Sequence, residues 1–177
     1  MRHAFSSSGF ATMIIRDEQV TDIDLISRLT TEAFRTAPHT QHNEAAIITA
    51  LRSGGVLSVS LIAKEASEII GHIAFSPVSI ANQDKGWYGL GPVAVLPQHQ
   101  GRGVGSALIR AGIERLKSIG ANGCVLLGEP EYYHRFGFRR CDELILTGVP
   151  ADYFMALPFS SKIPAGVVRY HEAFNVT

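Results

Sequence analysis

The spacing of hydrophobic and polar positions changes several times along the chain, and each change marks an element. Residues 13–17, MIIRD, read as a short strand. Over 20–37, Ile23, Ile26, Leu29, Thr30, Ala33 and Phe34 fall near one side of a 3.6-residue period, which predicts a helix. Thr21 or Asp22 is placed to cap it and Pro38 to stop it. A second helix is predicted over 43–52, ending at Gly54-Gly55. Alternation then takes over. The stretches 56–64 (VLSVSLIAK) and 69–80 (IIGHIAFSPVSI) predict a hairpin that turns at 65–68. Residues 82–86 read as a polar turn and 87–96 as a third long strand.

A helical period returns over 103–119 and Gly120 closes it. Val104, Leu108, Ala111, Gly112, Leu116 and Ile119 are expected on its buried face, where the small Ala111 and Gly112 would let it lie close to a sheet. Residues 124–127 make a short buried strand. Residues 130–136 make a short helix, with Pro130 at its first position and Gly137 at its end. Strand-like stretches follow at 143–147, 153–157 and 167–171. The order is a strand, two helices, a run of strands, then strand–helix–strand–helix–strand. That predicts a mixed α/β sandwich rather than a regular βαβ repeat. Residues 13–177 are expected to form a single domain, and the serine-rich 1–12 a flexible extension.

Composition narrows the function classes. Hydrophobic residues make up 46% and charged residues 18%, as in a globular protein. Sixteen basic residues balance sixteen acidic ones, so charge gives no reason to expect nucleic acid or a membrane surface as partner. The first residues lack the apolar centre of a secretory signal, and no apolar run approaches a membrane span, so a cytoplasmic location is expected. Cys124 and Cys141 form no CxxC pair. His39 and His42 have helical spacing but no third ligand, and no HExxH framework occurs, so no metal is expected.

The chemistry centres on LPQHQGRGVGSALI, where Gly101, Gly103 and Gly105 run straight into a helix. A helix start offers unpaired N–H groups and the positive end of the helix dipole. Glycines keep side chains away from those donors, so the stretch reads as a phosphate site. A P-loop requires lysine and Ser/Thr after its last glycine, and Val104-Gly105-Ser106-Ala107 supplies no lysine. A dinucleotide GxGxxG fits Gly101 and Gly103, but Ser106 takes the third place and five residues separate the strand from the turn. An NAD(P)-binding oxidoreductase therefore stays as an alternative, as does a turn whose glycines only shape the backbone.

The pattern Gln100-x-x-Gly103-x-Gly105 resembles the pyrophosphate loop of the GNAT N-acetyltransferase superfamily. The run GHIAFSPV, LGPVAVLPQHQGRGVGSALI, LLGEPEYYHRFGF resembles its YhbS-like subgroup of predicted acetyltransferases over 69–138. The resemblance implies an α/β (α+β) fold: a mixed, mostly antiparallel central sheet flanked by helices, with a splayed strand pair at the cofactor cleft. It implies acetyl-CoA as co-substrate. By analogy Val93, Ala94 and Val95 would lie along the pantetheine arm. Gln100, Gly101, Arg102, Gly103, Val104, Gly105 and Ser106 would surround the pyrophosphate. Arg102 reads equally as a solvated surface arginine. Gly89, Gly91 and Pro92 weaken the strand before the loop, which suits either a splay or an ordinary edge irregularity.

The resemblance also implies a function: transfer of an acetyl group from the thioester to an amine by direct attack, with a non-catalytic acyl-CoA-binding or sensing module as the alternative. Tyr133, four residues before Gly137-Phe138, matches the place of the family's tyrosine acid. Tyr132 is turned about 100° away along a helix, so the two tyrosines cannot both face the thioester. KGWYGLGPVAV holds no glutamate to act as base, which leaves Glu129 as a weak candidate and His72 as a residue more in keeping with a core or surface role. The acceptor is expected on the side built by the first two helices, the hairpin and the C-terminal strands, where Glu44, Tyr153 and Phe154 are available. A peptide, an aminoglycoside, a polyamine and a small metabolite all remain open, and so does a homodimer.

Overall fold

The computed structural model describes residues 12–177. The expected extension over 1–12 therefore lies, Thr12 apart, outside the described residues. In chain order the described elements are β1 (Met13–Asp17), α1 (Ile23–Phe34), α2 (Glu44–Ser53), β2 (Val59–Glu65), β3 (Glu68–Ile80) and β4 (Gln83–Val95). Then come α3 (Val104–Ser118), β5 (Gly123–Leu127), α4 (Pro130–Tyr133), β6 (Leu144–Ile145), β7 (Phe154–Pro158) and β8 (Gly166–Arg169). The sheet runs β1-β2-β3-β4-β5-β7 and is antiparallel except where β4 meets β5. Past the end of β2, β8 pairs with the last residues of β3 and carries β6 alongside it.

Alternation along the central strands sorts side chains to two faces. Ile73 and Phe75 of β3 pack with Leu108, Ile109 and Leu116 of α3. Ala74 of β3 and Ala94 of β4 pack with Ile26 and Leu29 of α1 and Ile48 of α2. On the α3 side the approach is close. A Cβ at Gly112 would overlap the Phe75 ring, and one at Gly71 would come within 3.1 Å of Val104 Cγ1.

Local differences from the sequence reading have identifiable causes. Asp22 does not cap α1. Its carboxylate reaches back to the Gln19 N–H at 2.7 Å and pairs with Arg16 at 2.7 Å, closing a 3-10 turn ahead of the helix. The expected turn at 82–86 is a tighter one at Ala81 and Asn82, both at positive φ, with Gln83 and Asp84 already paired to β3. Ile119 is 50% exposed because it lies past the last turn of α3; Ile109 and Ile113 are buried instead.

Beneath α2, Arg52 makes two 2.9 Å hydrogen bonds to Glu18. The Ser60 hydroxyl lies 2.8 Å from His72 Nε2. His72 is fully buried, and that desolvation pushes its pKa down to about 4, against the opposing pull of Glu18. The unfolded chain takes up this proton near pH 6.5 and the folded chain only near 4. Stability is therefore complete above about pH 6.5 and is lost as pH falls toward 4, by on the order of 3 kcal/mol. Denaturant unfolding of the wild type should show that loss between pH 7 and 4. His72→Gln, which cannot titrate there, should show a distinctly shallower fall.

Candidate active site

The parallel pairing of β4 with β5 covers Trp87↔Gly123, Tyr88↔Cys124 and Gly89↔Val125, and then stops. The remaining residues of β4 stay paired with β3. Gly91 and Pro92 together oppose the single residue Ala74 at a bulge, where the register steps from Phe75↔Leu90 to Ile73↔Val93. The Leu96 N–H donates to Ile70 of β3. By the two-residue alternation of an antiparallel ladder, the main-chain groups of Val93 and Val95 then face away from β3, into the gap. Ala94 faces its main chain to β3 and its side chain is buried against α1. The expected splay is thus present, with Val93 and Val95 along its open edge.

At one end of that edge lies the glycine turn. Gly101 (φ +73°) and Gly103 (φ +83°) are left-handed, and a Cβ on either would meet nothing within 4 Å, so backbone conformation calls for glycine and the space above is open. Gly103 precedes α3, whose first N–H groups have no intrahelical partner and no side-chain cap. Gln100, Gly101, Gly103, Val104, Gly105 and Ser106 line a depression here of about 290 Å³, with Val95 at its floor and Tyr132 and Arg135 across from it. Gly105 differs from the other two glycines: it is helical, and a Cβ there would come 3.2 Å from the Tyr132 hydroxyl. The Gln100 N–H is spent on Pro97, while its side chain donates to the Val95 carbonyl at 3.0 Å. Arg102 does not line the depression. Its guanidinium donates to Glu65 at 3.1 Å and lies 2.7 Å from His99 Nδ1. Arg135, stacked 4.6 Å from the centre of the Tyr132 ring, is the cation at this rim.

At the other end lies a cleft of about 470 Å³ lined by Leu90, Gly91, Pro92, Val93 and Leu127 of the gap and by residues from α1, α2 and the C-terminal segment. Tyr133 lines this cleft and Tyr132 the depression, so adjacent residues on α4 are divided between the two sites. The Tyr133 ring lies on Gly128, where any Cβ would overlap it. Burial pushes the Tyr133 pKa up to about 12, with Tyr132 adding to the shift, so the phenol stays protonated.

Two groups in the cleft carry more than their sequence context indicates. Tyr170 lies across Gly89, which has room for it only as glycine, and stacks edge-on with Phe174 at 5.0 Å. Burial raises its pKa too. Glu44, in the first turn of α2, lines the same cleft and accepts a hydrogen bond from the Thr40 hydroxyl. The other candidates lie elsewhere. Glu129 is exposed and outside the cleft, Tyr153 is 41% exposed, and Phe154 is buried in the core. His39 and His42 sit at positive φ in the α1–α2 loop and not on a helix face. Among the described residues, no group of three or more His, Cys, Asp or Glu could hold a metal, and no helix is long and apolar enough to cross a membrane.

Comparison with known proteins adds an identity to this geometry. The model of the acetyltransferase (GNAT) family matches residues 23–138. The chain is 31% identical over 170 residues to YhbS of Escherichia coli K12, an uncharacterized N-acetyltransferase, covering 92% of this chain and 99% of that one. A crystal structure of a GNAT family acetyltransferase from Brucella melitensis in complex with acetyl-CoA has a TM-score of 0.84 at 46% identity, covering 93% of this chain and 99% of that one. That of E. coli YhbS in complex with CoA has a TM-score of 0.86 at 29% identity, covering 98% and 97%. These matches remove the dinucleotide reading of the glycine turn. A branched side chain at Gly103 would project into the open space above the turn and strain the left-handed backbone. Gly103→Val should weaken CoA binding at least about tenfold, or ~1.4 kcal/mol, by calorimetry on the folded variant. Unchanged affinity would limit the glycine to shaping the turn.

Proposed function

The chain belongs to the acetyltransferase (GNAT) family, and from that premise we propose that acetyl-CoA lies along the open edge of β4 and gives its acetyl group directly to an amine in the cleft. One observation carries this reading. Val95 lines the depression and Val93 the cleft, two residues apart on one open edge. A pantetheine arm that pairs with this edge as a peptide strand would, with its pyrophosphate at Gly101–Ser106, bring its thioester to Tyr133. The residues assigned to the cofactor are Val93, Val95, Gly101, Gly103, Val104, Gly105 and Ser106, with Gln100 holding the end of the edge. Arg102, already paired, is replaced in the phosphate role by Arg135. Residues 13–177 act as one domain on this reading. Both cysteines are free, which supports a reducing cytoplasm.

The chemistry has two proton steps. An alkyl ammonium, with a pKa near ~10.4, must lose a proton to water before it attacks. Attack on the thioester carbonyl forms the carbon–nitrogen bond and leaves a cationic nitrogen and an oxyanion. Collapse breaks the carbon–sulfur bond, and the second nitrogen proton must reach the sulfur. Tyr133 at about 12 cannot release its proton outright to a thiolate near ~8.5, since that is uphill by on the order of 5 kcal/mol. It can donate a hydrogen bond to the sulfur and hand over its proton as it accepts one from the nitrogen. The products are the amide and the CoA thiol. The Tyr170 phenol, also neutral, is a second donor at the same opening.

Tyr133→Phe removes the hydroxyl and keeps the ring on Gly128. Turnover and its ratio to the Michaelis constant should fall together by roughly 10²-fold, with CoA affinity and melting temperature nearly unchanged. Tyr132→Phe should leave turnover intact. Normal turnover in Tyr133→Phe would make the residue a packing aromatic, and acetyl-CoA binding with no turnover on any amine would favour a sensing module. In wild type, kcat/KM for the amine should rise about tenfold per pH unit toward ~10, with no alkaline decline below about 11, because Tyr133 keeps its proton there.

A further inference from the structure

We propose that the acceptor is a primary amine carried on an uncharged apolar body, its single ammonium received by Glu44. The proposal rests on the acetyl-transfer reading above and names the substrate class of the same site. Phe34, Ile47, Leu90, Leu146 and Phe174 supply walls from five separate segments, and Glu44 is the one charged side chain among the residues that line the cleft. The other side-chain polar groups there are the phenols of Tyr133 and Tyr170, both kept neutral by burial.

Such walls discriminate by what they cannot satisfy. A second ammonium, as in a polyamine, would enter the apolar part of the cleft without a counter-charge, which is costly. The groove that continues past Glu44 between α1 and α2 offers it Arg35 and His42, and no second carboxylate among its lining residues. An aminoglycoside brings several hydroxyls and ammoniums that these walls leave unpaired. A carboxylate on the acceptor would be repelled by Glu44. An alkyl or aryl body loses nothing and gains from every methylene that leaves water. Glu44 is oriented to receive a cation. The Thr40 hydroxyl fixes one carboxylate oxygen, and the other accepts no hydrogen bond from the described residues.

Three six-carbon amines that differ at one end test the proposal: hexylamine, 1,6-diaminohexane and 6-aminohexanoate. With the full chain and acetyl-CoA, release of free thiol should give hexylamine a kcat/KM at least about tenfold above either of the others. From butylamine to hexylamine kcat/KM should rise by about fourfold per methylene. Glu44→Gln should raise KM for hexylamine at least about tenfold, with kcat changed less than about threefold and acetyl-CoA affinity unchanged. Glu44→Asp should recover part of the loss. Acceptance of the diamine or the amino acid at least equal to hexylamine would overturn the proposal, and the wild-type series decides this whether or not the variants fold. So would an unaltered hexylamine KM in a folded Glu44→Gln. Calorimetry with acetyl-CoA separates the two levels. If the cofactor does not bind, the transfer reading itself falls. If it binds and no preference for hexylamine appears, the substrate class alone is wrong.

Discussion

The parting of β4 from β5 after Gly89 is the constraint on which the site depends. Two strands held in register would satisfy each other's N–H and C=O groups and leave a cofactor nothing to pair with. Here two features prevent that. The bulge at Gly91-Pro92 bends β4 where the pairing ends, and proline has no N–H to offer β5. Beside the gap, aromatic rings take the room that missing side chains leave: Tyr170 over Gly89 and Tyr133 over Gly128. A main-chain N–H buried without a partner costs about 1–3 kcal/mol. An edge such as Val93–Val95 is therefore best satisfied when water or an amide-bearing arm fills the gap. The unpaired edge is a weakness of the sheet in isolation and, on the proposed reading, the surface that pairs with the cofactor.

The second requirement of the proposed site is that the glycine turn meet the end of that edge. This is set by the close seating of α3. Gly112 lets the helix rest on Phe75, and Gly71 lets Val104 and Leu108 come down on β3. With the helix fixed at that height, its unpaired N–H groups open beside Val95. Glycines therefore act in two ways: at Gly101 and Gly103 through positive φ, and at Gly71, Gly89, Gly112 and Gly128 through close approach.

This division explains what could be read from the sequence. Signals confined to a few neighbouring residues were legible: the helical periods of α1, α2 and α3, the glycine turn, and Tyr133 at a fixed distance from Gly137-Phe138. The expected splay rested on Gly89, Gly91 and Pro92, all within one strand. What was hidden depends on contacts between distant segments. Tyr170 reaches the site only because β8 pairs with the far end of β3, a long-range pairing that no local pattern encodes. Glu44 looked like one of several acidic residues, since a carboxylate in the first turn of a helix has a sufficient local reason to be there. Its distinction is the apolar company brought to it by β4 and the C-terminal segment. Arg102 followed the loop in sequence, but Glu65 at the end of β2 stands near enough to engage it. Ile119 fits the helical period of α3, yet the helix ends before it.

The same apolar company bears on the base that the sequence lacks. An alkyl ammonium, near ~10.4, holds its proton firmly at neutral pH. A negative charge beside it, such as Glu44, attracts the cation and favours its charged form. Moving the amine inward from Glu44 changes the balance, because desolvation disfavours the charged form and lowers the amine's pKa. Each unit of lowering raises the neutral fraction about tenfold at a pH well below that pKa. Recruitment and deprotonation thus make opposite demands: a charge at the mouth to bring the ammonium in, and an uncharged interior to make it give up its proton. The cleft holds both kinds of surface, with a half-buried carboxylate on α2 and neutral phenols and hydrocarbon around the gap. An apolar site with one carboxylate can therefore supply through solvation what a dedicated base would supply through its own pKa.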